Sequence, residues 1–189
     1  MSEYHPLPHL APVRRVVTGH TPQGKAIFSH DDQLQLVNPR PIPADTDPNT
    51  IAGFSLIHRT HGYPVDLQGP ESELSNENLA RAKMASGDII SEIVDIPPGE
   101  GQRGAAYLHR NHSLEYGVIL KGSVQLILDD GVEKTLSEGD VFVQRGTMHG
   151  WKNVTDQYCR FMAVIIPSNP AKTGAGEELP VTKIPGLTD

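Results

Sequence analysis

A single cysteine, Cys159, in 189 residues leaves no partner for an intramolecular disulfide and excludes a thiolate-rich zinc knuckle. Such usage fits a reducing compartment. Basic residues are also in deficit, with 16 Lys and Arg against 23 Asp and Glu and a formal net charge of −7. That surplus of negative charge disfavours nonspecific binding to nucleic acid or to anionic membrane surfaces. No apolar run approaches the roughly 20 residues that cross a bilayer. The opening Met1-Ser-Glu-Tyr-His-Pro6 lacks the basic and apolar regions of a secretory leader. The expectation is a cytoplasmic protein whose partner is a small-molecule substrate, with neither nucleic acid nor membrane involved.

Helix-period stretches are scarce as well. Glycine and proline instead supply 18 and 16 residues, 34 of 189, or about 18% against an average of about 12%. Their scatter cuts the chain into short segments separated by turns, which points to an all-β protein. The length suits one domain with an extension. We divide it into an N-terminal β-rich extension over 1–87, a barrel core over 88–167 and a Pro/Gly-rich C-terminal tail over 168–189.

Within the extension, Val13–Thr18 and Lys25–Ser29 read as a hairpin around Gly19–Gly24, and Ile51–His58 as a further strand. Ser75–Met84 carries capping residues followed by helix formers and is the best helix candidate. From Asp88 the texture is strands with tight turns: Asp88–Ile96, Ala106–His109, Glu115–Leu120, Ser123–Leu128, Lys134–Leu136, Asp140–Gln144, His149–Asn153 and Gln157–Ile166. Asp129-Asp-Gly131 and Ser137-Glu-Gly-Asp140 mark hairpin turns. Many short strands at this spacing imply a sandwich or small barrel.

Two stretches carry the chemistry. Residues 104–122 hold His109, Asn111, His112, Glu115 and, seven positions after Glu115, Gly122. Residues 139–153 hold Gly139-Asp140, Gly146, His149 and Asn153. Together they resemble the two signature motifs of the cupin superfamily: a Gly, a His-x-His pair, a Glu and a Gly, then Gly-Asp, a Pro-x-Gly turn, a His and an Asn. The resemblance spans about residues 88–167 and is closest to small single-domain cupins. That group also carries a segment seen here as Thr60-His-Gly62-Tyr-Pro64-Val-Asp66. It implies a jelly-roll β-barrel with an N-terminal strand extension. The chain departs from the pattern at two points: Asn111 stands where the second His belongs, and Gln144 where the Pro belongs.

The resemblance further implies one divalent metal ion per chain, held by inward side chains. Alternation along a strand lets His109, Asn111 and Glu115 share one face, with His149 opposite. His112 has the other parity, yet a loop there leaves it as the extra ligand. Two imidazoles and a carboxylate suit Zn²⁺ or Fe²⁺, with Mn²⁺ and Ni²⁺ as further candidates. The alternative is a barrel without metal, in which the same residues form a hydrogen-bonded network. Glu115 or His112 would move a proton where not a ligand. Arg145 is placed to bind a substrate carboxylate, or is a surface charge. Trp151 and Tyr107 share parity with His149 and His109 and are expected to line the pocket or pack the core.

Three functions fit such a site. One is metal-assisted decarboxylation, isomerisation or dehydration of a small oxygen-rich acid or ketone. The second is a non-haem Fe²⁺ dioxygenase, and the third a metal-free small-molecule binder. An open sheet edge in the N-terminal extension points to a homodimer.

Overall fold

The computed structural model describes residues 10–38, 46–67, 88–99 and 108–182. The helix expected over Ser75–Met84 and the pocket residue Tyr107 lie outside them. Ten strands follow in chain order: β1 (Val13–His20), β2 (Ala26–Leu34), β3 (Gly53–His61), β4 (Asp88–Ile96), β5 (Ser113–Lys121), β6 (Ser123–Ile127), β7 (Glu133–Ser137), β8 (Val141–Arg145), β9 (Gly150–Lys152) and β10 (Cys159–Pro167). Single 3-10 turns at Pro48–Thr50 and Asp129–Gly131 are the helical elements among the described residues. No helix there is long and apolar enough to cross a membrane.

The strands form a five-stranded sheet in the order β3-β4-β10-β5-β8, a three-stranded sheet β7-β6-β9, and a separate β1-β2 hairpin. All pairings are antiparallel. The two larger sheets face each other as a jelly-roll barrel, as the sequence predicts. Their shared core holds Val94, Ile119, Phe142 and Phe161 from one sheet, with Val124, Leu136 and Trp151 from the other. β3, from the N-terminal extension, is a full member of the main sheet.

Alternation decides which side chains enter. In β8, Phe142 and Gln144 are buried while Val141, Val143 and Arg145 are exposed. In β5, Ser113, Glu115 and Ile119 are buried while Tyr116 and Leu120 face solvent. Both expected turns form where left-handed backbone is needed: Asp130 and Gly131 have φ of 59° and 71°, and Gly139 has φ of 87°. Asn153 of the second motif is fully buried and closes the β9–β10 turn. Its amide donates to the carbonyls of Ile96 (3.0 Å) and Gln157 (2.8 Å), and its oxygen accepts from Thr155.

Arginines tie the extension to the barrel. Arg160 forks onto the buried carboxylate of Asp95 at 2.5 and 2.7 Å and donates to the Ala11 carbonyl at 2.9 Å. Arg15 is buried, pairs with Asp32 and donates to the Ile57 carbonyl at 3.2 Å. That charge-assisted bond with Arg15 holds the Asp32 carboxyl below its ordinary range. The Pro/Gly-rich tail docks on the barrel over 168–182 through backbone bonds. Ser168 donates to the His112 carbonyl (3.0 Å) and Thr182 to the Arg110 carbonyl (3.0 Å).

Core packing is tightest at Gly117. A Cβ there would lie 2.1 Å from Cζ of Phe142. The Phe142 ring has nowhere to go, because it packs edge-on against Trp151 (5.1 Å between centroids) and Phe161 (5.7 Å). Gly117→Ala is therefore expected to destabilise by about 2 kcal/mol. Thermal unfolding should show Tm lowered by about 5 °C for a chain of this size. An unchanged Tm would mean that the ring can shift.

Candidate functional site

The inner face of the barrel is apolar at one end and polar at the other. Three strands make this change at the same level. Along β5, Ile119 is followed upward by Gly117, Glu115 and Ser113; along β8, Phe142 is followed by Gln144; leading into β9, Trp151 is preceded by His149. Trp151, Phe142 and Phe161 stack as an aromatic floor, with 4.8 Å between the Trp151 and Phe161 rings. Trp151 thus serves both expected roles, packing the core and meeting the His149 ring edge-on at 6.3 Å. Cys159 lies in the same core, where burial pushes its thiol up to about 12.

His109 and His149 sit opposite each other. Each backbone N–H bonds the other's carbonyl, at 2.8 and 2.9 Å, and the ring centroids are 4.4 Å apart. His149 is buried, and its Nδ1 lies 3.0 Å from the Thr147 carbonyl oxygen. A carbonyl only accepts, so Nδ1 carries a proton, and the tautomer this selects has its lone pair on Nε2. Glu115 is also buried. Its Oε1 accepts from Ser113 Oγ at 2.8 Å and from Asn111 Nδ2 at 3.3 Å. Gln144 stands directly across from Glu115 in the β5–β8 register, and its Oε1 accepts from Thr147 Oγ1 at 3.0 Å.

The expected metal ligands are His109, Glu115, His149 and His112. A catalytic zinc takes three protein donors, and the Fe²⁺ facial triad also takes three. Among the described residues, no three His, Cys, Asp or Glu side chains stand together as such a set. Two local contacts account for this. Asn111 supplies an amide donor where an imidazole would coordinate, and it spends that donor on Glu115. His112, expected as the extra ligand, is directed to the C-terminal segment, with Nε2 3.1 Å from the Leu179 carbonyl oxygen.

Arg145 needs the other correction. It pairs with Leu114 on the exposed face of β8, so it is a surface charge and not a pocket residue. The arginine on the inner row is Arg59. That row runs Arg59, Ile90, Ile165, Glu115, Gln144 across the five-stranded sheet. Arg59 pairs with the buried Asp88, which also bonds His61 Nδ1 at 2.8 Å. Sequence reasoning missed Ser113, Thr147 and Gln144 as site residues. Strand alternation around Glu115 and Phe142 was the signal for Ser113 and Gln144. Thr147 acts through a turn, for which no periodicity exists.

Known proteins agree with the fold and the motifs. The sequence model for the cupin domain matches residues 92–165. A cupin-domain-containing oxidoreductase, fogC of Aspergillus ruber, is 31% identical over 154 residues, covering 82% of this chain and 70% of its own. A second, srdD of Neurospora crassa, is 30% identical over 185 residues, covering 94% of this chain and 86% of its own. Phomopsin biosynthesis cluster protein D of Diaporthe leptostromiformis is 32% identical over 152 residues, covering 77% and 73%. Among solved structures, the polyketide cyclase RemF of Streptomyces resistomycificus superimposes with a TM-score of 0.38 at 23% identity, over 51% of this chain and 60% of that one. Motifs, barrel and relatives converge, and the chain belongs to the cupin family.

Proposed function

We propose that this cupin is an enzyme that shifts protons on a small oxygen-bearing ketone or acid, by isomerisation or dehydration, without relying on a tightly held metal. One observation carries the reading: His149, its Nδ1 held by the Thr147 carbonyl so that Nε2 is the lone-pair nitrogen, and the buried Glu115 carboxylate both lie on the polar end of the inner face, next to the Trp151 aromatic cluster. Nε2 of His149 takes the proton from carbon next to a carbonyl; the C–H electron pair forms the C=C bond and the C=O π pair moves onto the carbonyl oxygen. As that pair returns, either the proton is delivered to another carbon, completing an isomerisation, or a β-hydroxyl is expelled and leaves as water with the proton from His149, completing a dehydration. No oxidant enters the balance. The His109 ring lies 4.4 Å from the base, tilted by 50°, and completes the imidazole pair.

Solvent deuterium exchange into the small keto acid levulinate tests this. His149→Ala should slow enzyme-dependent exchange by about 10²-fold or more, as loss of a general base does. The native protein should purify with substoichiometric metal and keep its exchange activity after chelation. Exchange abolished by chelation would sink the metal-independent reading.

Asn111→His offers a gain-of-function check. It restores the motif imidazole on the face shared by His109 and Glu115, so the variant should bind Zn²⁺ stoichiometrically where the native chain does not. Calorimetry would read this, and equal weak binding by both proteins would count against the account of Asn111.

The relatives fogC and srdD, both cupin-domain-containing oxidoreductases by name, favour a second reading, a redox enzyme. It predicts O₂ uptake by iron-loaded protein in the presence of substrate. The β1-β2 hairpin also supports the homodimer. A two-stranded hairpin is marginal alone, and this one exposes Phe28 (75%), Val16 and Ile27. Light scattering should give twice the 20.6 kDa chain mass, and Phe28→Asp should weaken the assembly. A native monomer at micromolar concentration would refute it.

A further inference from the structure

We infer that Gln144 is the oxygen-binding donor of this site, its side-chain Nε2 holding a carbonyl or carboxylate oxygen of a bound small keto compound. Gln144 is 3% exposed, and its Nε2 is buried without a hydrogen-bond partner. An amide nitrogen carries two donors, and native proteins rarely leave such a group unused. The side chain is not free to turn and seek another partner, because Thr147 Oγ1 holds its Oε1 at 3.0 Å. That bond fixes which end of the amide is left over.

The surroundings define what the donor can take. Gln144 faces Glu115 across the β5–β8 register on the inner face. Glu115 Oε1 already accepts from Ser113 and Asn111, and no bond joins it to Gln144. The same Thr147 that orients Gln144 through its hydroxyl orients His149 through its carbonyl. A single turn residue therefore sets a hydrogen-bond donor and a lone-pair base within one chamber. A donor aimed at an oxygen beside a base aimed at a C–H is the pair needed when charge moves onto a carbonyl oxygen. The general cupin motif places a proline at this position, which has no side-chain donor, whereas Gln144 supplies one. The ligand class rests on the proton-transfer reading, whereas the placement of the donor does not.

Levulinate titration, followed by the side-chain amide signals of ¹⁵N-labelled protein, tests the assignment. Saturation should shift the Gln144 amide pair, assigned by its loss in Gln144→Leu. Gln144→Leu should bind levulinate at least tenfold more weakly while keeping or raising the melting temperature, because it removes a buried donor that no protein group satisfies. Gln144→Glu, which keeps the shape but replaces the donor, should lose binding likewise. An unshifted Gln144 amide at saturation, equal affinity in Gln144→Leu, or no levulinate binding by the native protein would each overturn the assignment. A lowered melting temperature in Gln144→Leu with unchanged binding would make Gln144 a structural residue. Native protein that binds levulinate through Gln144 yet exchanges no deuterium would refute the proton-transfer reading and leave the donor in place.

Discussion

The ring of Phe142 over the bare backbone of Gly117 is the contact on which the interior depends. No other residue fits at 117 without displacing that ring, since even a Cβ would lie 2.1 Å from it. With the ring lying flat against β5, Trp151 and Phe161 close around it and span the gap between the two sheets. Interiors pack at crystal-like density, so a floor of three interlocked aromatic rings is a rigid partition. Below it the core is aliphatic, with Val94, Ile96, Ile119 and Val124. Above it β5, β8 and the segment leading into β9 turn polar, with Glu115, Gln144 and His149, while β4 and β10 continue apolar with Ile90 and Ile165.

Burying Glu115, Gln144 and His149 above that floor is costly unless each finds hydrogen bonds. The partners come from close by in sequence: Ser113 and Asn111 for Glu115, Thr147 for both Gln144 and His149. Local partners keep the groups oriented without long-range support and leave their outer atoms directed into the chamber. This separates the duties of the two motifs. Residues 111–115 hold a carboxylate, and residues 144–149 hold an amide and an imidazole. The barrel merely brings the two together, through the β5–β8 pairing and the His109–His149 bridge.

Strand order, turns and the inward face were legible because alternation and turn residues are local signals. Asp88–Ile96 emerges with the same bounds, and Gly131 and Gly139 adopt the left-handed turns their sequence demands. Of the two readings of Arg145, the same rule selects the surface charge over the carboxylate binder: with Phe142 and Gln144 inside, Arg145 must point out. The His112 expectation failed. Its partner, the Leu179 carbonyl, lies 67 residues away in a Pro/Gly-rich segment with no apolar pattern. Backbone-to-backbone docking leaves no trace in composition, so nothing local could reveal it.

That docked segment also explains why the site is positioned on loops and yet well defined. Loops that carry function need a scaffold to fix them. Here Arg110 is gripped from both sides, its N–H bonding Thr182 Oγ1 at 2.9 Å and its carbonyl accepting from the Thr182 N–H at 3.0 Å. Its guanidinium Nε reaches the Gly146 carbonyl at 3.1 Å, joining the first motif to the turn of the second. Ala171 packs 3.6 Å from where a Gly146 Cβ would stand, so the segment backs that turn directly. His109 and His149, the residues just beyond these clamps, are thereby held side by side from outside the barrel. The chamber's chemistry is local, but its geometry is fixed by the far end of the chain.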